Sequence, residues 1–219
     1  MADSASPIEN YQQSFKFIIV GESGVGKTCL MRQFNESKFD TDHEITIGVG
    51  CQHRILHLEG YPTTKIILWD TAGTEQFRSM ALSYFRGAIG AMLVYDITRH
   101  ETFEKIAEWL SDARNHCSPD CVFMLVGNKR DISDKREIDR EDAKLFSKMN
   151  NNILFMETSA KTAYNVEEAF AALTVEIYDR IQDGRIDLRQ HFPDQSSGIN
   201  PSTLSNFSRR RKRDRCCKR

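Results

Sequence analysis

The sequence predicts a layered α/β fold, a mostly parallel sheet with helices on both faces, and three observations predict it. From Phe15 onward, short runs rich in β-branched and aromatic residues alternate with helix-like segments. Four of those runs are apolar almost throughout, as strands covered on both faces are. A glycine-rich turn, rather than a long loop, joins the first of them to the next helical segment.

Taken in order, the first strand is Phe15 to Val20, and the helical segment Cys29 to Asn35 follows it. Cys51 to Leu58 and Thr63 to Trp69 flank Glu59, Gly60, Tyr61 and Pro62, whose turn chemistry predicts an antiparallel hairpin. Ile89 to Tyr95, Val122 to Val126 and Ile153 to Glu157 complete the buried strands. In Val166 to Ile181 the residues Val166, Ala169, Phe170, Leu173, Ile177 and Ile181 form one apolar stripe, and Asn165 is placed to cap this closing helix. Beyond Asp183 the chain turns polar, with Pro193, Ser196, Ser197, Gly198 and Pro201, too poor in periodic apolar residues to offset the entropy of ordering.

A chain of 219 residues supports one packed domain with a tail. The reading is a flexible segment 1–13, one domain over 14–182 and a polar, basic tail over 183–219. No stretch approaches the roughly 18 apolar residues of a membrane span. Met1 to Ser14 lack the apolar centre of a secretory signal, so a cytosolic protein with reduced cysteines is expected. The net charge of −1 hides an asymmetry, because Arg209 to Arg213, Arg215, Lys218 and Arg219 stand against Asp214 alone.

Directly after the first strand comes Gly21-Glu22-Ser23-Gly24-Val25-Gly26-Lys27-Thr28, a full phosphate-cradling loop pattern leading into a helix that Cys29 continues. The glycines let successive N–H groups curl toward anionic phosphates, Lys27 adds a point charge, and Thr28 offers a hydroxyl to magnesium. This loop is shared by adenine and guanine nucleotide proteins, so the base must be chosen elsewhere. Asn128-Lys129-Arg130-Asp131 ends a buried strand, and the Asp131 carboxylate matches the N1–H and N2 donors of guanine, a pair that adenine lacks. Glu157-Thr158-Ser159-Ala160-Lys161, after the last strand, can offer the Ala160 N–H to the guanine O6 and brace Asp131.

The order of these motifs over residues 14–182 resembles the Ras superfamily of small GTPases. The resemblance implies a three-layer P-loop NTPase fold whose sheet has six strands, one antiparallel, with GTP or GDP and Mg²⁺ as ligand and cofactor. It maps Thr46 onto the threonine that reaches magnesium and the γ-phosphate in the GTP form, and Asp70 onto a residue holding a magnesium-bound water. The Gly73 N–H would sense the γ-phosphate, and Phe39 would pack edgewise on guanine. Lys27, Thr46, Gly73 and position 74 form the implied catalytic group.

Within that superfamily, Thr46-Ile47-Gly48-Val49, Trp69-Asp70-Thr71-Ala72-Gly73, Tyr84-Phe85-Arg86-Gly87-Ala88 and the paired cysteines Cys216-Cys217 look like the Rab branch. Two departures stand out. Thr74 occupies the place of the usual water-orienting Gln and has no amide to bridge water and phosphate, so slow hydrolysis is expected. Gly50 and Cys51 stand where Glu and Phe are usual, so the effector surface of Ile47, Gly48, Val49, Cys51, Trp69, Phe77 and Tyr84 should have an unusual shape.

The branch implies prenyl groups on Cys216 and Cys217, added with an escort protein, with palmitoylation or no modification as the alternatives. The basic run beside them adds attraction to anionic leaflets, with a nuclear signal and nucleic-acid binding as rivals; nucleic acid is ranked last because no aromatic residues interleave. Expected partners are an exchange factor, a GTPase-activating protein, effectors, the escort and a GDP-dissociation inhibitor. The expected protein is a monomer that cycles between cytosol and the cytoplasmic face of endomembranes. The alternative is a GTP-binding membrane adaptor with negligible hydrolysis. Neither His53 with His57 nor Cys117 with Cys121 has the companions of a metal site, and none is assigned.

Overall fold

A computed structural model describes residues 11–39, 49–71 and 82–187. The chain order is β1 (Gln13–Val20), α1 (Lys27–Glu36), β2 (Val49–Leu56), β3 (Thr64–Thr71), β4 (Gly90–Asp96), α2 (His100–Glu104), α3 (Ile106–His116), β5 (Val122–Asn128), a 3₁₀ turn (Arg130–Lys135), α4 (Arg140–Met149), β6 (Leu154–Glu157) and α5 (Val166–Gln182). The six strands form one sheet in the order β2-β3-β1-β4-β5-β6. Only β2 runs antiparallel to its neighbour, pairing Val49 with Thr71 and Leu56 with Thr64.

Alternation along the strands separates two cores. Phe15, Phe17 and Ile19 of β1 point to one face, with Leu30 and Phe34 of α1 and Phe170, Leu173 and Ile177 of α5. Ile18 and Val20 point to the other, with Trp109 and Leu110 of α3 and Ala143 of α4. Both faces are dry around the central strands β1, β4 and β5, which is why these carry so few polar side chains, whereas β2 at the edge stays partly exposed. The packed chain continues past α5, since Ile186 returns to the first core, 3% exposed.

Three local readings shift. The hairpin closes wider than its composition indicates: β2 stops at Leu56, and His57 and Leu58 join the connection, where the Tyr61 N–H donates to the Leu58 carbonyl at 3.1 Å and Gly60 takes φ +79°. His57 therefore falls outside the strand that holds His53 and meets the Thr63 hydroxyl at 3.2 Å. Asn165 sits at the start of α5 but does not cap it, because at φ +55° its side chain instead donates to the Glu157 carbonyl at 3.0 Å.

The sheet places the C-terminal ends of β1, β3, β4, β5 and β6 along one edge. Gly21, Asp70, Asp96, Asn128 and Glu157 all lie there, which is where parallel α/β sheets bind their ligands.

Candidate nucleotide site

The loop from Gly21 to Thr28 is built on glycines that no other residue can replace at two points. Gly21 has φ +143°, and a β-carbon there would stand 2.1 Å from the Val94 carbonyl oxygen. Gly26 has φ +94°, and a β-carbon would stand 2.5 Å from Nδ2 of Asn128. The loop is thus pressed between β4 and the end of β5. It opens α1 at Lys27, so the first N–H groups of a ten-residue helix face the same space.

Lys27 is 5% exposed, and its ammonium donates to the Gly21 carbonyl at 2.7 Å and the Glu22 carbonyl at 2.8 Å. Burial pulls its pKa down to about 8, against the pull of the Asp70 and Glu22 carboxylates. Among the described residues the hydrogen bonds of this buried cation go to neutral carbonyls, and its pKa stays lowered despite the two nearby carboxylates, so a bound anion would stabilise its charge. The Thr28 hydroxyl donates to Oδ2 of Asp70 at 2.5 Å. Asp70 is fully buried, and its other oxygen, Oδ1, has no hydrogen-bond partner among the described residues. Burial raises its pKa above the ordinary carboxylate value. A hard cation beside Thr28 and Asp70 would satisfy the orphaned oxygen with the oxygen donors such ions require, so these residues fit magnesium.

The base side is cross-braced. Asn128, 2% exposed, donates from Nδ2 to the Val25 carbonyl at 2.8 Å, and its Oδ1 accepts from the Thr158 hydroxyl and the Ala160 N–H, both at 3.2 Å. One amide therefore ties the phosphate loop to both base-side loops. Ser159 donates to Oδ1 of Asp131 at 2.6 Å while accepting from the Thr162 N–H at 3.1 Å, which aims the carboxylate. Lys129 adopts φ +68° and reaches Oδ2 of the buried Asp96 at 2.7 Å. Beneath them Arg136 grips Glu157 with two parallel bonds of 2.7 and 3.0 Å, fixing the root of the Ser159–Lys161 loop.

The family model described as Ras family matches residues 16–179, about three quarters of the chain. The chain belongs to the Ras family. Ras-family proteins are small GTPase switches, which bind guanine nucleotide with Mg²⁺, hydrolyse GTP, and answer to exchange factors, activating proteins and effectors as classes. The mostly parallel six-stranded sheet with one antiparallel pair is the P-loop fold that goes with that membership.

In this Ras-family chain the structure gathers Ser23, Gly24, Val25, Gly26, Lys27, Thr28, Asp70, Asn128, Lys129, Asp131, Ser159 and Ala160 at one sheet edge. Cys29 follows on α1, half-buried against the first core, and Lys161 is exposed at the turn after β6. Phe39 packs partly buried against the core and lines a cavity of about 590 Å³ with Arg32, Glu36, Lys38 and Gln52. Thr46, Ile47, Gly48, Gly73, Thr74, Phe77, Cys216 and Cys217 lie outside the described residues. Of the expected effector surface, Val49 and exposed Cys51 lie on β2, Cys51 faces Trp69 in register, and the Trp69 ring centre is 5.2 Å from that of Tyr84. The Lys16 ammonium sits 4.9 Å over the Trp69 ring.

Sequence reasoning passed over four contributors. Asp96 ends β4 and Arg99 follows it, and the Arg99 guanidinium donates to the Ser23 carbonyl at 3.0 Å. Trp109 of α3 donates its indole N–H to Glu22 at 2.9 Å. Arg136 is the fourth. The position of Asp96 at a strand's C-terminal end was the one available signal, because ligand contacts gather there.

Proposed function

We propose that this chain is a Rab-type switch, working at the cytoplasmic face of endomembranes and recruiting effectors in vesicle trafficking. The observation that carries the nucleotide part is the Asn128 amide, which joins a phosphate loop to a guanine-reading pair of loops in one rigid unit. Lys27 and the loop N–H groups would hold the phosphates, and Asp131, aimed by Ser159, would select guanine. Thr28 and Thr46 would hold magnesium directly and Asp70 through water; the bound ion supplies neutralisation of phosphate charge. Thr46 and the Gly73 N–H would report the terminal phosphate, so that its loss releases the segments an effector grips.

The branch assignment rests on Thr46 to Val49, Trp69 to Gly73, Tyr84 to Ala88 and the terminal Cys216-Cys217 pair. The switch domain, expected over 14–182, would also take in the packed Gln13 and the chain to Ile186. The tail beyond it, to residue 219, would bring it to the membrane through prenyl groups on both cysteines and a basic run attracted to anionic lipid at roughly 1 kcal/mol per charge. An escort protein would deliver those groups and a GDP-dissociation inhibitor would return the protein to the cytosol. Mass spectrometry of native protein with unmodified Cys216 and Cys217 would remove the membrane assignment.

Thr74 gives a second reading its footing, since a side chain without an amide favours an adaptor with negligible hydrolysis. Thr74→Gln is expected to speed single-turnover hydrolysis at least about tenfold, and equal rates would count against any role for this position. The central test is base choice. Wild type should retain guanine nucleotides at micromolar concentration with magnesium, and Asp131→Asn should move preference to xanthine nucleotides by about a hundredfold or more. Failure of the folded protein to retain any guanine nucleotide would end this reading.

A further inference from the structure

Arg99 is held where no motif requires it. It follows β4, and its guanidinium reaches across the cleft edge to lie on the Ser23–Gly24 peptide of the phosphate loop. Nη2 donates to the Ser23 carbonyl at 3.0 Å, and Nη1 comes within 3.3 Å of the point where a β-carbon on Gly24 would stand. The opposite edge of the group is occupied: Nε lies 3.3 Å from a Glu101 oxygen and 3.9 Å from Oδ2 of Asp96, which Lys129 already grips at 2.7 Å. Carboxylates thus orient Arg99 from behind, and the nitrogen pair facing the loop meets a carbonyl and a glycine.

The loop itself has two halves. Val25 and Gly26 lie against the Asn128 amide, on the side where the base is read. Glu22 and Ser23 lie on the far side, with the Lys27 ammonium bonded to the Gly21 and Glu22 carbonyls. In loops of this pattern the lysine serves the outer phosphates. Arg99 touches that far half, and its charge is close enough to Lys27 to repel it. Two cations converging on a glycine loop, with the bonds of one going to neutral carbonyls among the described residues, is an arrangement that a polyanion relieves.

We propose that Arg99 is a specificity-determining residue of the nucleotide site, its guanidinium adding positive charge at the outer-phosphate half of the loop and favouring a nucleoside triphosphate over a diphosphate. The proposal rests on the guanine-nucleotide reading given above. A triphosphate carries more negative charge at that half than a diphosphate, so the gain is unequal between them. The Arg99 side chain is 37% exposed, which keeps the effect modest and sensitive to salt. A group that served only to hold the Ser23 carbonyl would act on both nucleotides alike.

The experiment uses the full-length protein with magnesium and compares affinities for GDP and for a guanosine triphosphate with a non-hydrolysable β,γ-imido link. Arg99→Gln, which keeps a donor but no charge, should lower the triphosphate-to-diphosphate affinity ratio by about two- to fivefold at low salt, and by less at high salt. Arg99→Lys, which keeps the charge, should preserve most of the wild-type ratio. An unchanged ratio in Arg99→Gln, or equal weakening for both nucleotides in the two variants, overturns the proposal. Wild type that binds neither nucleotide overturns the reading beneath it, an outcome visible before any variant is made.

Discussion

The base side and the phosphate side of the cleft share one sheet edge yet are built on opposite plans. At the base side the groups that shape the loops are cross-paired, although the Tyr95 hydroxyl beneath them finds no hydrogen-bond partner among the described residues: Asn128 joins three segments, Ser159 fixes Asp131, and Arg136 holds Glu157 with two bonds. At the phosphate side the buried Lys27 leans on carbonyls of its own loop, and Asp70 keeps one oxygen without a hydrogen-bond partner among the described residues. Satisfied polar networks make rigid surfaces, whereas buried charges lacking counterparts cost stability until a ligand supplies them. The fold therefore completes the selective half in advance and leaves the half that grips charge to be completed by what binds.

The strongest way to break that contrast is to cut the brace at the base side. Arg136→Ala should destabilise the nucleotide-free protein by about 3 kcal/mol, because Glu157 is 4% exposed and would keep, among the described residues, only the Arg130 guanidinium 3.7 Å away as a cation. Urea unfolding measures it directly. A loss below about 1 kcal/mol would mean that the base-side loops are not preassembled but wait for guanine as the phosphate loop waits for phosphate.

Lys27→Ala probes the other half, with opposite signs for binding and folding. Nucleotide affinity should fall about a hundredfold, the loss of a charged donor pair in a dry site. Stability without nucleotide should hold or rise, since a lysine that is 5% exposed and whose ammonium bonds, among the described residues, to neutral carbonyls is removed. Melting the variant with and without nucleotide separates the two. A marked drop in the empty protein's stability would show that the lysine is a strut, and the asymmetry between the two halves would vanish.

How far the sequence discloses these two halves follows from the range of their contacts. The phosphate loop is legible because it is local: Gly21 to Thr28 are eight consecutive residues whose glycines and lysine serve one another within a single turn. Asn128 and Asp131 are legible because a buried strand delivers them to the ligand edge. The braces are not, since Arg136 meets Glu157 from 21 residues away, Arg99 meets Ser23 from 76 and Trp109 meets Glu22 from 87. Which side chains meet at such distances depends on sheet register and helix placement, which periodicity leaves open. Asn165 shows the same competition on a small scale: its type predicts a helix cap, but the Glu157 carbonyl across the turn claims its amide.

The smallest expected effect sharpens the comparison most finely. Glu22 places a carboxylate inside a loop built for anions, near enough to attract Lys27, and α3 restrains it through the Trp109 indole at 2.9 Å. Glu22→Gln keeps the oxygen that accepts from the indole and removes only the charge. If the phosphate side is governed by charge, nucleotide affinity should rise about two- to fivefold, since phosphate no longer meets a like charge across a half-buried gap. If the carboxylate matters instead as an anchor that keeps the loop open, affinity should fall, because a neutral acceptor bonds the indole less strongly than an ion does. Equilibrium titration with GDP reads the sign. A rise would show that this chain holds its empty phosphate loop together with a charge that opposes the ligand, a cost on the phosphate side that has no counterpart among the paired groups around Asn128.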